Sequence, residues 1–298
     1  MSKTPFQTVG VIGKRREPHL PTLESLGNAL GALGCEVLVD DNPELRKLSV
    51  GRRVTREEMG RCADLVIVVG GDGTLLDAGR TLAPAGVPLL GVNHGRLGFL
   101  VDIAPEQMAE SLAAVIGGRY ELEERLILSA QLMRASAPDG SAHIAVNDVV
   151  LRNQATIRMI EFESWMNNDF ISLHRADGMI VCSPTGSTAY ALSGGGPLMH
   201  PSLQAMALVP ICPHTLSDRP IVVGGDQCVR LVVRGDERSQ ATVTFDGQIS
   251  ANLHNGDSVE VRCSDVPLKL IHPTGSSYFA ILRNKLRWGR GQESVSER

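Results

Sequence analysis

The chain has 298 residues, of which 43% are hydrophobic and 21% charged, with a formal net charge of −4. Those proportions are ordinary for a globular protein, and the length suits one or two domains. The acidic balance argues against nucleic acid as the main partner, although a local basic patch would be compatible with it.

Thr8-Val9-Gly10-Val11-Ile12-Gly13 predicts a first strand. Leu23, Leu26, Leu30 and Leu33 recur behind it at helical spacing, and Gly34 closes that helix. Cys35 to Val39 is a second strand, and Arg46 to Gly60 is polar without a clear period. Leu65 to Val69 is an unbroken apolar run, mostly β-branched, the pattern of a strand buried on both faces. Gly70-Gly71-Asp72-Gly73-Thr74 follows at once, and Leu75-Leu76-Asp77-Ala78 predicts the start of a helix with Thr74 as its cap.

Strand, glycine turn and helix N-terminus together present backbone N–H groups to phosphate oxygens. Glycines there admit a ligand's close approach and any positive φ the turn needs. Asp72 is out of place in a simple phosphate cradle, because a carboxylate repels phosphate. Two readings are open: a base for a hydroxyl that attacks a phosphoryl group, or an Asp-Gly turn capping its own helix.

Val87 to Val92 is the next strand. The loop behind it, Asn93-His94-Gly95-Arg96-Leu97-Gly98-Phe99-Leu100, either stands where open α/β sheets bind ligands or is a plain connection. A helix from about Pro105 carries Met108, Leu112 and Val115 and ends at Gly117-Gly118. This alternation implies parallel strands with crossover helices.

The pattern changes near residue 120. Leu126-Ile127-Leu128, Ala145 to Leu151, Ile157 to Phe162, Val229 to Val233, Thr242 to Phe245, Val259 to Val261 and Leu268 to Ile271 read as strands. Turn signals separate them at Pro138-Asp139-Gly140, Asn167-Asn168-Asp169 and Asn255-Gly256-Asp257. The second half therefore reads as an all-β layer structure. It is interrupted by a long glycine-rich run from Asp177 to Pro197, dense in hydroxyls and backbone donors. Ser187 or Thr188 suits the cap of a short helix from Ala189. Tyr190 suits a base-stacking platform or, more commonly, a core position.

Several chemistries find no motif. There is no P-loop, no G-x-G-x-x-G and no G-x-S-x-G, and His174-Arg175-Ala176-Asp177 lacks the spacing of a kinase catalytic loop. The eight histidines have no metal-site spacing. Cysteines at 35, 62, 182, 212, 228 and 263 include no C-x-x-C and read as reduced thiols of a cytoplasmic protein. Met1-Ser2-Lys3-Thr4-Pro5 lacks the apolar region of a signal peptide, and no apolar run is long enough to span a membrane.

The two glycine regions together resemble those of the NAD kinases, and the resemblance runs over nearly the whole chain. Gly70-Gly71-Asp72-Gly73-Thr74 is similar to the family's GGDG signature, a string shared with lipid kinases of the diacylglycerol type. Aromatic content of 4% and the lack of a basic amphipathic helix speak against a lipid substrate. Asn147-Asp148, the run from Asp177 to Pro197, Pro210 to Pro220 and Asp246-Gly247-Gln248 resemble the family's further signatures, the second of them highly specific.

The resemblance implies a Rossmann-like α/β domain over residues 1–123 with the C-terminal segment 276–298, and an all-β, β-sandwich-like domain over 124–275. It implies transfer of the γ-phosphate of ATP to the 2′-hydroxyl of the adenosine ribose of NAD+, giving NADP+. Asp72 would be the catalytic base, with Gly73 lining the phosphate channel. Asn147 and Asp148 would read adenine or ribose, and Asp177 would hold the nicotinamide end. Thr185 and the run Thr188, Ala189, Tyr190, Ala191, Leu192 and Ser193 would bind the second adenosine region, and Gln248 would contact the dinucleotide. Arg158 and Arg175 would meet phosphate or ribose oxygens, or else be solvated strand-face charges; Arg175, two residues before Asp177, favours NAD+ over NADH. A divalent ion such as Mg2+ would arrive with ATP, without a protein metal site or a tightly bound organic cofactor. The expected assembly is a homodimer or homotetramer in the cytoplasm, with neither nucleic acid nor membrane as partner. A non-catalytic dinucleotide sensor is the rival reading, and the intact Asp72 weighs against it.

Overall fold

The structure, a computed structural model, describes residues 5–94, 98–101, 103–135, 138–153, 159–215, 217–235 and 240–288. The chain divides into two units, residues 1–123 with 269–298 and residues 124–268.

The first unit begins β1 (Thr8–Gly13), α1 (Leu20–Ala32), β2 (Glu36–Asp40), β3 (Arg52–Val54), α2 (Arg56–Cys62) and β4 (Leu65–Gly70). It continues α3 (Asp72–Leu82), β5 (Leu89–Asn93), α4 (Met108–Ile116) and β6 (Glu121–Arg125). The leucine period of α1 is its inner stripe: Leu23, Leu26 and Leu30 are fully buried. His19 accepts the N–H of Thr22 at the start of α1, and Gly34, at φ 83°, turns the chain out of it. Every residue of β4 is buried, as an apolar strand covered on both faces requires.

The second unit runs β7 (Leu128–Met133), β8 (Pro138–Ala145), β9 (Asp148–Asn153), β10 (Ile160–Met166), β11 (Asp169–Ala176), β12 (Gly178–Cys182), α5 (Tyr190–Ser193) and β13 (Ala205–Ile211). It goes on with β14 (Ile221–Gly224), β15 (Val229–Arg234), β16 (Gln240–Phe245), β17 (Ile249–His254) and β18 (Ser258–Cys263). β19 (Leu268–His272) and α6 (Tyr278–Leu286) follow.

Among the described residues the first sheet has the order β3-β2-β1-β4-β5-β19-β6, and the pairings from β3 to β19 are parallel. The winding reverses between β1 and β4, the point at which the loops after the strands diverge and leave a crevice. The glycine turn after β4 opens there. The strand from Leu268 does not continue the antiparallel pattern that precedes it in sequence. It joins the parallel sheet, with Leu270 opposite Leu89 and Ile271 opposite Leu90.

Among the described residues the second unit has two six-stranded sheets, β11-β10-β15-β18-β7-β8 and β14-β13-β12-β9-β16-β17, whose registered pairs are antiparallel. Phe162, Leu231 and Val259 of one sheet and Val149, Met179 and Phe245 of the other share one buried core. That is a β-sandwich.

Further sequence expectations change here. The run Ala145 to Leu151 is not one strand, because β8 ends at Ala145 and β9 starts at Asp148. Of Leu126-Ile127-Leu128, the first two residues link β6 to β7 and Leu128 opens β7, and Pro138-Asp139-Gly140 opens β8 rather than turning the chain. The glycine-rich run begins with a fully buried strand, β12, which pairs on both sides. Gly178 is required there because a Cβ would strike the carbonyl oxygen of Leu151.

Candidate active site

In the first unit, α3 starts at Asp72 rather than Leu75. Gly71 is the capping position, extended at φ −104° and ψ −175°, and no side chain caps it. Thr74 lies inside the first turn, its N–H donating to Gly71 O at 2.9 Å. None of Gly70, Gly71 and Gly73 has positive φ. The glycines serve space instead: a Cβ at Gly70 would overlap the Thr74 hydroxyl, while Gly71 faces open space.

The Asp72 carboxylate does not cap its own helix. Its Oδ2 accepts the N–H of Phe99 at 2.8 Å and its Oδ1 that of Leu100 at 3.0 Å. Gly98 lies against the same carboxylate, with no room for a side chain. Residues 98–100, from the loop after β5, are therefore tied to Asp72. From α6, the Lys285 ammonium stands 5.8 Å from the centre of the Phe99 ring.

One turn further along α3, Asp77 braces the helix. Its Oδ2 accepts from Arg15 Nε and from Arg56 Nη1, each at 2.8 Å, and its Oδ1 from Arg80 Nη2 at 3.3 Å. Arg56 also donates to Asp40 at 3.1 Å. Burial alone would raise the Asp77 carboxyl, but the bonds and charges of Arg15 and Arg56 outweigh it and hold it below the usual range.

In the second unit, Asn147, Asp148, Val150, Arg152, Ala189, Tyr190, Thr244, Asp246 and Gly247 line a cavity of about 340 Å³. Asp148 is 5% exposed. Burial, and then the charge of Asp246, pushes its carboxyl up to about 7. The neighbouring Cys182 thiol is pushed up to about 12, by burial first and by Asp148 second. Tyr190 is 46% exposed, so it is not a core residue and presents a ring at the cavity. The Asn147 Oδ1 and Thr185 Oγ1 atoms are buried without a hydrogen-bond partner among the described residues. Buried polar atoms left unpaired in a folded chain point to a missing ligand or water.

The cavity thus gathers Asn147, Asp148, Ala189 and Tyr190. Gly73 is exposed in the first turn of α3, in the other unit. Thr188 is half-buried and donates its hydroxyl to Thr185 O at 3.2 Å. Ala191 is 1% exposed and packs among Ile180, Val209 and Met199, whereas Leu192 is half-buried and Ser193 exposed. α5 has Ala189 as its uncapped start. Ser187, instead of capping it, donates to Pro184 O and accepts the N–H of Met199. Gln248 is exposed in the turn after β16, its N–H donating to Phe245 O at 3.0 Å. Arg175 is exposed and pairs with Glu161 at 3.0 Å. Asp177 is exposed between β11 and β12. Arg158 lies outside the described residues.

Sequence reasoning missed Arg152 and Thr244. Asp148, Val150 and Arg152 share one face of β9 by strand alternation, and Thr244 pairs with Val150. That signal is readable only once β9 is known to start at Asp148.

Residues 15–120 match the ATP-NAD kinase N-terminal domain, and residues 146–273 match the ATP-NAD kinase C-terminal domain. The chain belongs to the ATP-NAD kinase family. The NAD kinase of Nitrosococcus oceani is 43% identical over 288 residues, 96% of this chain and 98% of that one. The chain is also similar to the solved structure of an Archaeoglobus fulgidus NAD kinase in complex with ATP. That likeness has TM-score 0.73 and 26% identity, over 94% of this chain and 99% of the other. A yeast NADH kinase solved with NADH shares the fold at TM-score 0.86 and 21% identity, over 96% of this chain and 89% of that one. Membership makes the chain an NAD kinase, a phosphotransferase with an alcohol group as acceptor. Among the described residues, no helix is long and apolar enough to cross a membrane.

Proposed function

We propose that Asp72 is the base with which the chain phosphorylates the 2′-hydroxyl of the adenosine ribose of NAD+. The carrying observation is the carboxylate at the first residue of α3, aimed by the N–H groups of Phe99 and Leu100. Each donor occupies one lone pair per carboxylate oxygen, and each oxygen keeps another for a hydroxyl proton. As the 2′ oxygen bonds to the γ-phosphorus of ATP, the bond from that phosphorus to the bridging oxygen breaks and ADP leaves. The hydroxyl proton passes to Asp72. General-base help of this kind contributes on the order of 10²–10⁴-fold, and alignment and charge neutralisation supply the rest.

The backbone N–H groups of the glycine turn suit the phosphates of ATP, and the Archaeoglobus relative solved with ATP supports that donor. Mg2+ enters as part of the MgATP substrate. The cavity of the second unit suits a nucleoside. Asn147 and Asp148 offer donor and acceptor groups for adenine or ribose, and Tyr190 offers an exposed ring to stack on. Thr185, Thr188, Gln248, Asp177 and Arg175 complete the dinucleotide contacts in this reading, which is also that of a cytoplasmic homodimer or homotetramer.

The test is NADP+ formation from NAD+ and MgATP, read with an NADP-specific dehydrogenase, beside Asp72→Asn. The expected result is product from wild type, with turnover in the variant lower by about 10²-fold or more and NAD+ binding kept. Equal losses of binding and turnover would remove Asp72 from the role of base. No NADP+ from folded wild type would overturn the reaction itself.

A further inference from the structure

Asp246 stands in the turn between β16 and β17, at φ 51°. Its Oδ1 accepts the N–H groups of Asn147 at 2.7 Å and Asp148 at 3.2 Å, and its Oδ2 accepts that of Val146 at 3.0 Å. Its own N–H donates to Asp148 O at 2.9 Å. Three successive N–H groups converging on one anion form a nest, here closed by a side chain of the same chain. The opposite edge of the segment is held from Ser183, the residue after β12. Ser183 Oγ donates to Val146 O at 2.6 Å, and the Ser183 N–H donates to Asn147 O at 2.9 Å. Gly186 lies so close to Asn147 that a Cβ would strike its carbonyl oxygen. The backbone is therefore gripped on both edges, while the Asn147 and Asp148 side chains, on the cavity wall, have no hydrogen-bond partner among the described residues.

We propose that Asp246 is a positioning residue: it sets the Val146-Asn147-Asp148 backbone and thereby the angle at which Asn147 and Asp148 meet the dinucleotide. The proposal rests on the reading that this cavity holds NAD+. The grip needs a carboxylate. An asparagine in the same place keeps one accepting oxygen and turns an amide N–H toward the remaining donor.

The same carboxylate acts on Asp148 through space. The titratable or charged groups facing Asp148 are Asp246 from the β16–β17 turn, Cys182 from β12, Tyr190 from α5 across the cavity, and Arg152 on its own strand. Of these, Asp246 adds to burial in raising Asp148 toward 7. Removing its charge moves Asp148 back toward acid.

The experiment compares wild type, Asp246→Asn, Asp148→Asn and the double variant as full chains, with KM for NAD+, kcat and the pH profile of kcat/KM. Asp246→Asn is expected to raise KM about tenfold, with a smaller change in kcat. It should also move the limb near pH 7 to lower pH, which a purely structural role would not do. In the Asp148→Asn background the same change should cost less than about twofold, since coupled residues are non-additive. Full additivity, or an unmoved limb, overturns the positioning role.

If Asp148→Asn alone leaves KM for NAD+ unchanged, the reading of the cavity fails and the kinetic arm fails with it. Hydrogen exchange on the substrate-free protein still decides the grip. Faster exchange at the amides of 146–148 in Asp246→Asn, with the rest of β9 and β12 unchanged, supports it. Unchanged exchange at 146–148 overturns it.

Discussion

Gly98 and the Asp72 carboxylate occupy adjoining space so closely that no side chain fits at residue 98. The constraint is steric: a Cβ at Gly98 would overlap the Asp72 carboxylate. Gly98→Ala must displace either the carboxylate or the loop whose Phe99 and Leu100 N–H groups aim it. Misplacing a reacting group by about 1 Å can cost on the order of 10²-fold in rate. Steady-state kinetics of Gly98→Ala should show kcat falling by about that factor, with KM for NAD+ changing far less. A variant with wild-type kcat would mean that the base tolerates displacement.

The Asp77 cluster links α3, which begins with Asp72, to α2 and to the loop after β1. Asp77→Asn leaves the largely buried Arg56 with Asp40 and takes a charged partner from Arg80. Breaking a buried pair on one side costs about 3–5 kcal/mol, and Arg56 keeps Asp40, so the lower end is expected. The Asp77 carboxyl lies below its ordinary value in the folded chain. Its contribution is therefore complete above the unfolded value near 4 and is lost as pH falls through the folded one. Urea unfolding at pH 7 should show the full difference between wild type and variant. The gap should narrow in acid.

The β4 strand, the turn and α3 were legible because their signals are local: an apolar run, glycines, then a helical period. The leucines of α1 were legible for the same reason. The break between β8 and β9 was not, since Asn147-Asp148 lies between Ala145-Val146 and Val149-Val150-Leu151 with no glycine or proline to mark a turn. What holds the chain there is the carboxylate of Asp246, 99 residues from Asn147 and 100 from Val146. β19 misled in a similar way. Its strand propensity is plain, but its choice of β5 as a parallel neighbour leaves no trace in Leu268–His272 itself. At the candidate site, Asp72, Asn147, Asp148, Ala189 and Tyr190 came from their motifs. Arg152 and Thr244 needed the register.

Ser164, His174 and Asp218 form a relay outside the candidate site. The Ser164 Oγ lies 2.7 Å from His174 Nε2, and His174 Nδ1 lies 3.2 Å from Asp218 Oδ2. The carboxylate can only accept, so Nδ1 carries the proton and, in the neutral ring, Nε2 accepts from the serine. The constellation is that of nucleophilic hydrolases, but Ser164 is 1% exposed and offers no access to a substrate. Its work is to tie the segment carrying Asp218 to β10 and β11. A serine-directed fluorophosphonate should leave Ser164 unlabelled in the native protein. His174→Ala should cost about 1–3 kcal/mol in urea unfolding, because it strands the buried Ser164 hydroxyl and the half-buried Asp218 carboxylate.

Asp148 makes the stability of the chain depend on pH in the opposite sense to Asp77. Its carboxyl titrates near 7 in the folded chain, raised by burial and then by Asp246. It titrates near 4 when unfolded. Between those values the folded chain holds a proton that the unfolded chain has released, so stability falls as pH rises from about 4 to about 7 and is level above. For a shift of this size the whole penalty is on the order of 4 kcal/mol. Asp148→Asn is nearly isosteric and removes the titration. In the absence of NAD+, the variant should therefore melt above wild type at pH 8, and its advantage should shrink steadily as pH is lowered toward 4. Groups that titrate alike in both proteins cancel from the difference. An advantage as large at pH 5 as at pH 8 would show that Asp148 keeps its ordinary carboxylate behaviour, and that the cavity wall is wetter than its burial implies.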